Sequence, residues 1–91
     1  MLTDRPKRRA DVSSRDVDED TVVLDRATDR IHRLNATASF IWHRCDGRRT
    51  VDEIVHELTG FFDVETQAAN DAVIGVIAQL DQLGLLDRTQ R

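Results

Sequence analysis

The chain holds a single cysteine, Cys45, so no disulfide can close within it, which suits a reducing compartment. One proline and four glycines leave no low-complexity segment and no glycine-rich loop to cradle a phosphate. Tyrosine is absent and aromatic residues make up 4% of the 91 positions, so the core must come from Val, Ile and Leu. That length allows one domain with a thin margin of stability. No apolar run approaches the roughly 20 residues that cross a bilayer. The opening MLTDRPKRR also lacks the apolar middle of a secretory signal. These absences point to a cytoplasmic protein without a membrane partner.

What is present is a strong alternation of charge beneath a net value of −4. Residues 1–9 carry four basic and one acidic side chain, residues 10–29 two basic and seven acidic. Residues 30–49 reverse this with five basic and one acidic, and residues 50–91 return to two basic and eight acidic. The one basic stretch that looks folded therefore runs over residues 30–49. It reads either as a solvated face or as a docking patch for an acidic partner.

Residues 1–10 are mostly polar and aperiodic, and read as a disordered basic tail; residues 88–91 read as a C-terminal tail. Between them, residues 11–87 form the folded unit. Val12, Val17, Val22, Val23, Leu24, Ile31 and Leu34 fall in short runs separated by Asp18-Glu19-Asp20 and by Arg26-Ala27-Thr28-Asp29. That spacing predicts three short strands, the last of them over residues 30–34. The period then becomes helical. Asn35 caps a helix over residues 36–45, which ends at Asp46-Gly47. Thr50 and Glu53 fit a capping box opening a second helix, which Gly60 closes. A third helix spans residues 66–83, with Ala69, Val73, Val76, Ile77 and Leu80 on its core face. On the flank of that helix, Ile74, Gly75 and Ala78 make a shallow apolar strip beside Asn70 and Asp81. The expected fold is α+β: a small domain of winged helix-turn-helix type, with a three-stranded antiparallel sheet followed by three helices.

Catalytic chemistry is not legible. His43 and Cys45 lie two apart on a helix and point to opposite sides, so they cannot chelate together. His56, beside Glu53 and Glu57, reads as a solvated face. Ser13, Ser14 and Ser39 lack the Gly-x-Ser-x-Gly turn of a nucleophile. Cys45 reads as a buried spacer. No catalytic, metal or cofactor-binding residue is assigned. The layout would suit a winged-helix DNA-binding regulator, the alternative function, yet neither the second nor the third helix carries a Lys or Arg. Such helices repel phosphates, so no nucleic-acid partner is expected.

Leu34-Asn35-Ala36-Thr37-Ala38, then Ile41-Trp42, Cys45-Asp46-Gly47, Thr50-Val51 and Ile54-Val55 stand in this order ahead of the closing run Val76-Ile77-Ala78-Gln79-Leu80. Over residues 11–87 this set resembles the PqqD-like family of peptide-recognition domains. The resemblance implies an adaptor without catalysis of its own. Family members bind the leader of a ribosomally made precursor peptide and present it to a tailoring enzyme. That enzyme is a radical S-adenosylmethionine protein or, in lasso-peptide pathways, a leader peptidase. In the family the leader adds as an extra strand to the third strand and packs against the third helix. The implied peptide-binding residues are therefore Arg30, Ile31, His32, Arg33 and Leu34 on the strand. On the helix they are Asn70, Ile74, Ala78 and Asp81, with Ile77 adding to the pockets. The terminal DRTQR differs from PqqD proper, so the binding role is carried over and pyrroloquinoline quinone synthesis is not. An open strand edge also leaves room for a homodimer.

Overall fold

A computed structural model describes residues 5–87. Three strands, β1 (Ser13–Val17), β2 (Asp20–Asp25) and β3 (Arg30–Leu34), precede three helices, α1 (Ala36–Arg44), α2 (Val51–Phe62) and α3 (Thr66–Gln82). The sheet is antiparallel in the order β1-β2-β3, so among the described residues both outer strands present a free edge. Two acidic residues in left-handed conformation, Asp18 and Asp29, turn the chain between strands; Asp tolerates that region through local hydrogen bonding.

Register decides which side chains face the helices. Thr21 pairs with Leu34, Val23 with His32 and Asp25 with Arg30. These six share one face of the sheet, since side chains alternate along a strand. Thr21, Val23, Asp25 and Leu34 are buried there. Val22, Leu24, Ile31 and Arg33 lie on the opposite face, which carries no helix. Ile41, Trp42, Ile54, Leu58, Val73, Ile77, Leu80 and Leu85 fill the space beneath the inner face.

The helix caps form as expected. The Asn35 side chain accepts the Ala38 N–H, and Thr50 and Glu53 make a reciprocal capping box. Gly60 does not close α2, which continues to Phe62 and ends at left-handed Asp63. Phe62 is half-buried against the core and holds the last turn in place; a single mid-helix glycine costs only about 1 kcal/mol.

The expected tail over residues 1–10 is corrected for its described part. Pro6 is fully buried. The Gly47 N–H donates to Pro6 O, the Arg8 N–H to Cys45 O, the Arg9 N–H to Leu85 O and the Asp87 N–H to Lys7 O. This strap threads between the end of α1 and the end of the chain. Gly47 has φ +81°, which favours glycine, and a Cβ there would also lie 3.1 Å from Lys7 Cδ, so the lysine side chain would have to shift. Arg8 caps α1 by donating to Trp42 O and His43 O. Arg9 reaches the buried Asp25 carboxylate at 3.1 Å and Gly84 O at 2.9 Å. Residues 5–9 are therefore part of the folded unit. Residues 1–4 of the expected tail and the expected C-terminal tail at 88–91 lie outside the described residues.

Candidate functional site

The expected strand site is β3 with the bounds read from sequence. Among the strands and helices β3 touches only β2 and α1, and no Cα of β3 comes within 8 Å of a Cα of α3. Its outer edge is thus left free by α3, which packs on α1 and α2 instead. Ile31 is 70% exposed on the outer face, an unusual exposure for so apolar a side chain flanked by charge. Arg33 on that face is held by Asp20 at 2.9 Å. Arg30 is exposed, and no carboxylate among the described residues pairs with it. His32 is half-buried, and its Nε2 atom is buried with no hydrogen-bond partner among the described residues. Leu34 belongs to the core, so only its backbone is open to a ligand.

On α3 the expected flank divides. Ile74 is 43% exposed and Gly75 opens onto empty space. Asn70, Ala78 and Asp81 are half-buried beside them. Ile77 is fully buried, so its expected place in the pocket wall is corrected to the core beneath it. The reason lies in angular position: Ile77 falls on the same stripe as Val73 and Leu80, and α3 packs on α1 and α2.

The basic stretch 30–49 proves less of a patch than its charge count suggests. Arg44 and Arg49 both bind Glu57, each at 2.8 Å, and tie the end of α1 to α2. Burial works against the Glu57 carboxylate, but hydrogen bonds from Arg49 and Arg44 outweigh it and hold its pKa below the usual range. The same balance holds at Asp25, where burial is outweighed by hydrogen bonds from Thr28, Arg9 and the Ala27 N–H. Of the five arginines only Arg30 and Arg48 stand clear of a carboxylate among the described residues.

Groups with reactive potential sit in places that suppress it. Burial pushes the Cys45 thiol up to about 12, so it is a packed spacer rather than a nucleophile. No group of three His, Cys, Asp or Glu side chains among the described residues is placed to hold a metal ion. No helix of the described residues is long and apolar enough to cross a membrane. One cluster was not singled out in the sequence. Phe40, Phe61 and Phe62 meet with ring centroids 4.8 to 5.5 Å apart. The adjacent pair of aromatic residues just beyond Gly60 was the available signal, in a chain with so few aromatics.

Solved structures share this arrangement of strands and helices. TbiB1 in complex with the TbiA(β) leader peptide superposes with a TM-score of 0.81 at 22% identity, covering 93% of this chain and 99% of that one. Lasso peptide synthetase B1, complexed with the leader peptide, gives 0.80 at 23% identity over 91% and 98%. The PqqD truncation of Methylobacterium extorquens PqqCD is a stand-alone recognition element for ribosomally synthesised and post-translationally modified peptides. It gives 0.77 at 23% identity over 97% and 96%. No curated protein matches the chain in sequence. The family model for coenzyme PQQ synthesis protein D (PqqD) matches residues 20–86, from the start of β2 to the buried Leu86, and the chain belongs to that family.

Proposed function

We propose that this protein is a non-catalytic adaptor that binds the leader of a ribosomally synthesised precursor peptide as a fourth strand on β3. The observation that carries the reading is the free edge of β3, standing clear of α3 while both pack on α1. A strand pairs at about 4.8 Å from its neighbour, so an added chain would find its place unoccupied by the helix. Main-chain hydrogen bonds supply affinity in such pairing, and alternate side chains supply choice. Exposed Ile31 and Ile74 offer apolar contact on the strand and on the helix. Arg30 offers a cation with no carboxylate partner among the described residues. Two solved relatives by fold hold leader peptides, which supports the same use here. The enzyme that receives the leader is a radical S-adenosylmethionine protein or a leader peptidase. A DNA-binding role is disfavoured because α2 and α3 contain no Lys or Arg.

Calorimetric titration with the leader of the small precursor peptide encoded beside this protein tests the reading. Submicromolar binding that falls on Ile74→Glu is expected. Absence of binding, or binding indifferent to changes in both β3 and α3, would refute it.

A further inference from the structure

A recess of about 320 Å³ lies between the β1–β2 turn, α1 and the end of α2. It shares no residue with the β3 edge or the α3 flank. Its apolar part is the Phe40–Phe61–Phe62 cluster, in which Phe61 remains 68% exposed although its ring packs 4.8 Å from Phe40. An exposed aromatic ring in an otherwise aromatic-poor chain leaves apolar area that a partner could cover. Four carboxylates, those of Asp16, Asp18, Glu19 and Asp20, stand at the rim.

Two of the four are already engaged. Asp16 accepts hydrogen bonds from Thr21 at 3.0 Å and contacts His43 at 2.9 Å, while Asp20 is paired with Arg33. Asp18 and Glu19 have no cationic partner among the described residues. The only full cation in the lining is Arg44, already committed to Glu57. Its guanidinium lies 3.5 Å from the Phe40 centroid, so this aromatic cluster already receives one arginine from within the chain. Arginine suits such a place because its planar group stacks on a ring while its edge pairs with carboxylate.

We propose that this recess docks an arginine-bearing apolar segment of a second protein, with the guanidinium over Phe61 and paired with Asp18 or Glu19. On the adaptor reading, which this inference extends, that protein is the enzyme that receives the leader. The recess meets β3 only through the Asp20–Arg33 pair and shares no lining residue with β3 or α3, which allows leader and enzyme to be held together.

The test is a nuclear magnetic resonance titration of the ¹⁵N-labelled protein with a capped Leu-Arg-Leu-Arg peptide, with Leu-Glu-Leu-Glu as control. Shifts concentrated at Asp18, Glu19, His43 and Phe61 are expected, and the acidic control should produce none. The double variant Asp18→Asn, Glu19→Gln keeps a residue tolerant of the left-handed turn. It should bind the basic peptide about tenfold more weakly, since each exposed charge pair is worth several-fold. Phe61→Ala should cost about fivefold through the lost ring contact. Both variants should keep a dispersed spectrum and unchanged affinity for the leader. Shifts centred on Arg30 to Leu34, equal binding of the acidic peptide, or indifference to the double variant would overturn the proposal. So would concentration-dependent self-association abolished by that variant, which would assign the recess to a second copy. If the wild-type protein fails to bind any leader, the adaptor reading falls, and the peptide map still decides the recess separately.

Discussion

β1 and β3 are both edges of one short sheet, and both expose a row of unpaired backbone groups, but their side chains differ in kind. Every residue of β1 is exposed, and the strand reads Ser-Ser-Arg-Asp-Val. Short length, polar composition and charge are the usual protection of an edge against unwanted pairing. β3 instead buries Leu34, half-buries His32 and leaves Ile31 on the surface between arginines. β1 is also held from the side, because its Asp16 contacts His43 of α1. β3 has no comparable tether of its own to α3. The proposed recognition edge thus differs from the other by a far more exposed apolar side chain, Ile31 at 70% against Val17 at 38%.

Proline scanning should break this comparison most sharply. Adjacent residues in an antiparallel strand direct their N–H groups alternately to the neighbouring strand and away from it. Of Ile31→Pro and His32→Pro, one should therefore damage pairing with β2 and lower the melting temperature. The other should keep the fold and remove an outward donor, weakening leader binding more than about tenfold. Matched changes at Ser14 and Arg15 in β1 should leave the affinity of any folded variant within about twofold on the same principle. Calorimetry beside circular dichroism separates the two effects, and equal losses at both edges would remove the distinction.

Ile74→Glu comes next. It sets a carboxylate on the exposed flank of α3, three residues after Asp71, so stability should fall by only about a few tenths of a kcal/mol while leader affinity drops about tenfold from the cost of covering a charge. Val17→Glu, on a β1 residue 38% exposed, should leave leader affinity unchanged.

Acid should act on the β1 edge through Asp16. Hydrogen bonds from Thr21 and then His43 hold the Asp16 carboxyl below its ordinary 3.8, and Asp25 is depressed as well. A carboxyl whose folded pKa lies below its unfolded value contributes stability that is complete above that unfolded value. The contribution is lost as pH falls through the folded value. Stability from these groups should hold from neutrality down to about pH 4 and decline below it. Hydrogen exchange should then show β1 amides less protected below about pH 4 than at neutrality, and Asp16→Asn should lessen that difference.

How far the sequence disclosed the molecule depends on how local each determinant is. The Asn35 cap, the Thr50–Glu53 box and the limits of β3 each depend on residues a few positions apart, and they are legible. The strap at residues 5–9 is not, because its order comes from Cys45, Gly47, Leu85 and Asp87, far along the chain. Basic polar composition there resembles a free tail until Arg9 is seen to meet buried Asp25. Gly60 misled for a similar reason: packing of Phe62 against the core outweighs a local helix-breaking preference. Ile77 could be placed on two adjoining stripes by helical angle, and only the positions of α1 and α2 settle which one.

The smallest effect is expected at Arg33, the one β3 cation with a partner. Its side chain is 66% exposed and Asp20 is 30% exposed, so their 2.9 Å contact is an open surface pair. Such pairs contribute about 0 to 1 kcal/mol, and Arg33→Gln should move the melting temperature little. The substitution removes one positive charge from the proposed leader edge and releases Asp20 in the lining of the recess. Leader affinity should fall about twofold at low salt, and the difference should vanish near 1 M salt, where the screening length is about 3 Å. Arg30→Gln, which has no such carboxylate to compensate it, should cost more under the same conditions. Equal losses at Arg30 and Arg33 would mean that the edge attracts its ligand by summed charge, while a larger loss at Arg30 would mark it as the residue that meets the leader directly.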